Sequence, residues 1–170
     1  IILGLGPHAR EMAEIVERVN QASPTWELLG FITEDEAHTG EVWNDYPVLG
    51  GPDAIDRFPR ASFAFESEWH RLDILSLDRC ATLIDPSSFI SRSASIGHGC
   101  VIYPRCFVGF PARIADFVFC LSGCIINHDS VVERRVILTS RVTLAGGVYV
   151  ETGSYLGQAS NVRQNLRIGR

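Results

Sequence analysis

Two of the chain's five histidines lie in its second half, and one of them, His128, is followed directly by an acid, Asp129. Histidine is the side chain best suited to moving a proton near neutral pH, and a general base is often oriented by a neighbouring group. His98, in contrast, is flanked by two glycines. His128, with an acid directly beside it, is therefore the better candidate of the two for acid–base chemistry. The alternative for either histidine is an exposed surface position without a chemical role.

The composition of the 170 residues excludes several other chemistries. All 15 basic residues are arginine, so a P-loop, a Schiff-base enzyme and a lysine general base are ruled out. The net charge is −5 and no basic run occurs, which disfavours nucleic acid or an anionic membrane as the main partner. No apolar stretch approaches the roughly 20 residues of a membrane span.

The start of the chain is predicted to be a strand, a glycine turn and a helix. The apolar run from Ile1 meets Gly4, Gly6 and His8, and an amphipathic pattern then covers residues 9–20. The unpaired N–H groups at such a helix start can bind an anion. Because Pro7-His8-Ala9 supplies no third glycine, the dinucleotide fingerprint is incomplete. Nucleotide contact and a plain tight turn are both compatible with this pattern.

Short apolar runs and helical patterns alternate through the rest of the first half, which is typical of a small parallel α/β sheet. The pattern predicts strands at 28–32, 47–51 and 61–65, and helices at 52–58 and 69–77. Glu34 and its acidic neighbours follow the second predicted strand, where an acid can hold a ribose hydroxyl or lie in a solvated loop. We assign residues 1–82 to this α/β domain.

From Ile84 onward the sequence repeats with a period of six. Every sixth residue up to Ile168 is apolar, and a second series of small or apolar residues runs four positions after the first, from Ser88 to Leu166. A helix of period 3.6 cannot place every sixth residue on one side, whereas a triangular solenoid with six residues per face can. Three such faces make a coil of 18 residues. We predict this solenoid for residues 83–170.

Four of the five cysteines occupy inward positions of this repeat, namely Cys100, Cys106, Cys120 and Cys124. A zinc site needs ligands that face one point, so the repeat favours packed thiols instead. Reduced cysteines in an odd number suit a reducing compartment, and we expect a cytoplasmic protein.

The repeat also predicts a neighbour for His128, because Gly146 follows it by one coil. A residue without a side chain is expected to leave open space beside the imidazole, with backbone N–H groups that can receive a developing oxyanion. His98 and His128 are too far apart in sequence to form the three-histidine metal site of a carbonic anhydrase type, and no metal is predicted.

These features together resemble a known family. The hexads, Asn127-His128-Asp129, the run from Thr143 to Val148 and the start with Gly4, Gly6 and His8 are similar to the sugar acetyltransferases of the sialic-acid O-acetyltransferase and bacillosamine-biosynthesis group. The resemblance extends over essentially the whole chain. It implies an α/β, Rossmann-like N-terminal domain that binds a nucleotide-linked amino sugar. It also implies a left-handed parallel β-helix that assembles as a homotrimer.

The resemblance further implies a direct acetyl transfer, with acetyl-CoA in a groove between two subunits. The histidine matching His128 takes the proton of the attacking amine, the acid matching Asp129 supports that histidine, and an amide near Gly146 stabilises the oxyanion. Neither a metal nor a covalent enzyme intermediate is required. The positions that match the family's binding residues are Gly6, Pro7, His8, Thr33, Glu34 and Glu66 for the sugar nucleotide, and Ile137, Gly146, Gly157 and Gln158 for acetyl-CoA.

Four positions depart from the family pattern. Ile137 replaces a histidine of the coenzyme site, Thr33 an acid, Glu66 a glycine and Leu121 an asparagine. A carboxylate at Glu66 would repel a nucleotide phosphate if it pointed inward. The family continues through further coils that complete the coenzyme site, so we expect either that such coils follow Arg170 or that the coenzyme site is incomplete.

The sequence thus predicts an acetyl-CoA-dependent N-acetyltransferase that acts on a nucleotide-linked amino sugar. An O-acetyltransferase of sialic acid or a related sugar is an alternative, because the same base can serve a hydroxyl group. A second alternative is an inactive trimeric scaffold or a sugar-nucleotide-binding module.

Overall fold

The computed structural model describes residues 1–67, 69 and 74–169. The chain divides into two compact units, Ile1–Leu83 and Ile84–Arg170. Within the described residues, no helix has both the length and the apolar character needed to cross a membrane.

The first unit contains one sheet and, among its described residues, one α-helix, α1, at Pro7–Ala22. The strands are β1 Ile2–Leu3, β2 Phe31–Ile32, β3 Val42–Trp43, β4 Tyr46–Gly50 and β5 Ala64–Phe65, in the order β3-β4-β2-β1-β5. All pairs are parallel except β3–β4. Short 3₁₀ helices lie at Glu36–His38, Pro52–Arg57 and Leu77–Arg79.

Helix α1 forms because its apolar residues recur on one face. The buried residues are Ala9, Met12, Ala13, Ile15 and Val16, and this face packs toward β1. The helix begins two residues before the predicted start, because a proline is well tolerated in the first turn, where its missing N–H would have no partner anyway.

The Rossmann-like interpretation of the first unit is not confirmed. In the described part of this unit the segments after β2 and β4 form only 3₁₀ turns, so a distinct domain with helices on both faces of the sheet is not evident. The predicted short helix at 52–58 is confirmed as the 3₁₀ helix Pro52–Arg57. The predicted helix at 69–77 falls largely outside the described residues.

The second unit is a parallel solenoid, as the period of six predicts. Its two-residue strands are β6 Leu83–Ile84, β7 Phe89–Ile90, β8 Ser95–Ile96, β9 Val101–Ile102, β10 Phe107–Val108, β11 Arg113–Ile114, β12 Phe119–Cys120, β13 Ile125–Ile126, β14 Val131–Val132, β15 Ile137–Leu138, β16 Thr143–Leu144, β17 Tyr149–Val150, β18 Tyr155–Leu156, β19 Asn161–Val162 and β20 Arg167–Ile168. They form three sheets, β19-β16-β13-β10-β7, β20-β17-β14-β11-β8 and β18-β15-β12-β9-β6. Each strand pairs with the strand one coil away, as Phe107 does with Phe89 and Ile125.

The core of the solenoid consists of the two predicted inward series. From Cys100 to Leu156 nearly all of these side chains are buried in one continuous cluster. The end coils are more open: Ile84, Ile90, Val162 and Ile168 are half-buried, and Leu166 is 43% exposed. Leu166 is exposed because no described coil lies beyond it to cover it, so its exposure does not test the inward prediction.

We expect a stability difference between the two residues of strand β11. Ile114 points inward and is 2% exposed, whereas its neighbour Arg113 is exposed. Replacing Ile114 by alanine should lower the free energy of unfolding by about 2–5 kcal/mol, because it leaves a cavity in the stack. Replacing Arg113 by alanine should change it by no more than about 0.5 kcal/mol. Denaturant unfolding of both variants measures the difference, and equal losses would contradict the assigned faces.

All five cysteines are free thiols and buried. Burial raises the pKa of Cys100 to about 12 and the pKa of Cys120 well above its usual range. A hydrogen bond between Cys106 and Cys124 lowers the pKa of the first and raises that of the second. Within the described ranges, no group of three or more His, Cys, Asp or Glu side chains is placed to hold a metal ion.

This burial predicts that the thiols are chemically silent in the folded protein. A disulfide reagent such as DTNB, at mildly alkaline pH, should modify none of the four solenoid cysteines of the native chain, because burial makes their sulfur atoms inaccessible to the reagent. In concentrated guanidinium chloride all five thiols should react. Rapid modification of the native protein at Cys120, located by mass spectrometry, would contradict the inward assignment.

Candidate functional site

His128 and Asp129 form the turn that follows strand β13. Nδ1 of His128 lies 2.8 Å from Oδ2 of Asp129, and the two side chains are 60% and 65% exposed. The pair therefore lies at the surface of the solenoid. An N–H at Nδ1 that donates to the carboxylate leaves Nε2 of the imidazole able to accept a proton.

The backbone conformation of the turn explains why an aspartate is tolerated at position 129. Asp129 has a φ of 59°, in the left-handed region that Asp and Asn tolerate better than most residues. One and two coils later, the equivalent positions are Gly147 and Asn165, which also have positive φ. Local backbone chemistry thus allows the carboxylate to sit next to the imidazole.

The imidazole of His128 lies directly against Gly146, as the 18-residue offset predicts. A Cβ added to Gly146 would lie 2.5 Å from Nε2 and 2.9 Å from Nδ1 of His128, which is closer than real contacts allow. The expected open space beside the ring is therefore not present, because the ring itself occupies it. Gly146 acts as the seat of the imidazole.

Backbone hydrogen bonds hold this seat in place. The N–H of Gly147 donates to the carbonyl of His128 over 2.9 Å, and the N–H of Asp129 donates to the carbonyl of Phe110 over 3.3 Å. The Oγ of buried Ser130 donates to the carbonyl of Ala145 over 3.0 Å. No sequence motif points to these residues, although Phe110 lies one coil of 18 residues before His128. The N–H of Gly146 donates to no group in the described part of the chain.

The second histidine of the solenoid has a different environment. Nδ1 of His98 is 3.7 Å from Oδ1 of Asp116, and the same carboxylate accepts the backbone N–H of His98 and lies 3.6 Å from Nε of Arg134. Asp116 is thus shared with an arginine, whereas Asp129 has no arginine or histidine partner other than His128 among the described residues. The two histidines offer a matched comparison.

The residues predicted to bind acetyl-CoA do not converge with His128 in one chain. Ile137 points outward from β15, and Gly157 and Gln158 form the turn after β18, which belongs to the same sheet. His128 follows β13, which belongs to another sheet. Gly146 alone of the four is in contact with the imidazole.

The arginines near the end of the chain also differ from each other. Arg163 is exposed. Arg167 pairs through Nε with Glu151 and lies over the ring of Tyr149, 4.3 Å from its centroid. Arg163 is therefore the better placed of the two to meet a ligand phosphate.

In the first unit, the structure brings Gly6 and Glu66 together. Glu66 follows β5, is 6% exposed, and its carboxylate accepts the N–H groups of Gly6 and Ala9 at the start of α1 over 3.2 and 3.3 Å. The N–H groups at this helix start are thus paired with a side chain of the same chain. Pro7 is the first residue of the helix.

The other predicted residues of the first unit have separate environments. Nδ1 of His8 is 3.1 Å from Oε2 of Glu11, one helical turn away. Thr33 is buried and its hydroxyl accepts the N–H of Asp35 over 3.2 Å, while Glu34 is exposed. Thr33, which stands where the family pattern has an acid, thus has its hydroxyl turned to the chain's own backbone.

Three sheets of two-residue strands around an apolar stack define the chain as a parallel β-solenoid of the left-handed β-helix type, built from hexapeptide repeats. Its catalytic candidate is a surface histidine with a carboxylate partner.

Solved structures share this fold. A histidine-to-alanine mutant of GDP-perosamine N-acetyltransferase from Caulobacter crescentus, in complex with CoA and GDP-perosamine, matches with a TM-score of 0.88 and 20% identity over 99% of this chain and 81% of that one. The acetyltransferase domain of PglB from Neisseria gonorrhoeae matches with a TM-score of 0.79 and 20% identity, over 99% and 83% of the two chains. That domain is also known in complex with acetyl-CoA.

Sequence comparison gives one further relation. The bifunctional protein GlmU of Thermodesulfovibrio yellowstonii is 26% identical over 165 residues, and the match covers 95% of this chain but only 36% of that protein. No protein-family model matches the chain. The chain therefore shares its fold with sugar acetyltransferases of the hexapeptide-repeat type.

Proposed function

We propose that the chain is an acetyl-CoA-dependent N-acetyltransferase that acts on a nucleotide-linked amino sugar. The observation that carries the proposal is the His128–Asp129 pair seated on Gly146. Solved proteins of the same fold bind CoA together with GDP-perosamine, and histidine replacements have been made in them. The resemblance to the sialic-acid and bacillosamine sugar acetyltransferases supports the same activity.

In this mechanism the amine nitrogen of the sugar attacks the carbonyl carbon of the thioester. Asp129 holds Nδ1–H of His128, so that Nε2 accepts the proton that the amine loses. The N–H of Gly146 stabilises the negative charge that develops on the thioester oxygen. When the C–S bond breaks, the imidazolium returns its proton to the leaving thiolate. The products are the N-acetyl sugar and CoA, and His128 regains its starting state.

We also propose that the enzyme works as a homotrimer in the cytoplasm. A side chain that is 60% exposed lies in water, whereas acyl transfer by a general base benefits from a covered site. The positions predicted for acetyl-CoA lie on a different sheet from His128. A groove between two copies would bring a second copy's Ile137 face near the first copy's His128. The reduced cysteines support the cytoplasmic location.

The proposal is tested by incubating the protein with acetyl-CoA and a panel of nucleotide-linked amino sugars. Thiol release should depend on the sugar, and NMR of the product should place the acetyl group on nitrogen. Acetylation on oxygen, with sialic acid as the better acceptor, would favour an O-acetyltransferase instead. Binding of the sugar nucleotide without any thiol release would contradict the enzyme and favour a binding module.

A further inference from the structure

The turn between β1 and α1 has the features of an anion-binding corner. Gly4 has a φ of 124°, which strongly favours glycine, and Pro7 starts a helix of 16 residues. The first N–H groups of such a helix have no partner within the helix, and its dipole favours negative charge there. A phosphate is a common occupant of this kind of corner.

Here the carboxylate of Glu66 fills the corner. Parallel pairing of β1 with β5 aligns Leu3 with Phe65, so the next residue of each strand meets at the same edge of the sheet. A Cβ on Gly6 would lie 2.5 Å from Oε1 of Glu66, and a Cβ on Gly4 would overlap its carboxylate as well. The two glycines therefore leave room for this side chain, which is only 6% exposed.

The carboxylate opposes a phosphate in two ways. It takes the space next to Gly4 and Gly6 and accepts the N–H groups of Gly6 and Ala9 that a phosphate oxygen would need. A carboxylate also repels a phosphate, and repulsion between like charges is stronger where little water lies between them.

We propose that Glu66 is a specificity-determining residue that excludes the phosphate groups of the acceptor from the glycine corner. The acceptor then binds with its phosphates outside this corner, held by other groups. This inference rests on the proposed function for one premise only, which is that the acceptor carries phosphates. The occupation of the corner by a carboxylate is independent of acetyl transfer.

Inorganic pyrophosphate is a suitable probe, because it presents two linked phosphates without a base or a sugar. Calorimetric titration should detect at least tenfold tighter binding to Glu66→Gly than to the wild-type chain. Glu66→Ala should also bind pyrophosphate more tightly than the wild-type chain. The increase in affinity should be smaller for Glu66→Gln, because the amide removes the charge but still fills the space.

A matched control is Glu36→Ala. Glu36 also lies against a glycine that precedes a proline, Gly51, but it is exposed and belongs to a 3₁₀ helix of three residues. Its removal takes away the same charge from the same unit and should leave pyrophosphate binding unchanged.

Equal pyrophosphate affinity in the wild type and in Glu66→Gly would overturn the proposal. An equal increase in pyrophosphate affinity in Glu36→Ala would also overturn it, since the increase would then follow from net charge alone. Glu66→Gly loses two hydrogen bonds to the helix start, so circular dichroism of all variants must confirm folding, and Glu66→Ala serves if the glycine variant does not fold. The titration needs neither acetyl-CoA nor a sugar, so its failure is distinct from a failure of the acetyl-transfer assay.

Discussion

Replacement of His128 by alanine is expected to reduce thiol release from acetyl-CoA, in the presence of an amino-sugar acceptor, by at least about a hundredfold. The reason is the loss of the proposed base, the acceptor of the proton that the attacking amine releases. Because the side chain is 60% exposed, its removal should leave the fold intact. A spectrophotometric thiol assay at saturating acetyl-CoA measures the rate, and thermal unfolding confirms the stability.

The matched control for this prediction is His98→Ala. His98 is also an exposed histidine in a turn of the solenoid with an acid nearby, but its acid is shared with Arg134. Its removal should leave the rate unchanged. Asp129→Asn fits the same left-handed turn and removes only the charge, so its rate should fall between those of the wild type and His128→Ala. Equal rates for wild type and His128→Ala would show that His128 is not the base.

Gly146→Ala is expected to cause a loss of similar size, about a hundredfold in kcat/KM. The added Cβ would overlap the imidazole of His128, so the ring must leave its position. A displacement of about 1 Å from the reacting geometry can cost this much. The backbone of Gly146 does not have a positive φ, and the ring is the end of an exposed side chain that can rotate away. Stability should therefore change little while activity falls.

Two further variants test whether the loss of activity in Gly146→Ala comes from displacement of the imidazole of His128. In Gly169→Ala the new Cβ would meet nothing closer than 3.6 Å, so the rate should be that of the wild type. In the double variant His128→Ala with Gly146→Ala, the second change should add little to the first if Gly146 acts by positioning His128. A further loss of the same full size in the double variant would mean that Gly146 contributes independently of His128, for example because the added methyl group blocks access to the N–H of residue 146.

The solenoid could be predicted from sequence because its repeat is long and each inward position imposes the same demand. The contact between His128 and Gly146 followed from that repeat, since strand pairing at a constant offset of 18 fixes which turns stack. The repeat did not predict the position of the imidazole ring itself. It predicted space beside the imidazole, whereas the ring folds onto the glycine and fills it.

The first unit was harder to predict because β1, β2 and β5 contain only two residues each. A period of two is too short to be recognised in such strands. The direction of Glu66 depends on the pairing of β1 with β5, which joins residues about 60 positions apart, so no local pattern could reveal it. From the sequence, Glu66 is a binding position of the family pattern with an unexpected residue type, and only the structure shows where its carboxylate lies.

The stacking of His128, Gly146 and Gln164 in one column also limits how the length of this chain can change. A deletion or insertion of one residue in the solenoid would turn every later inward side chain outward. A change of one whole coil would preserve the core, but the deletion of residues 129–146 would place Gln164 beneath His128 instead of a glycine. The length of the protein can thus vary by whole coils. Loss of the coil that carries Gly146 would keep the fold but remove the glycine on which the imidazole of His128 packs.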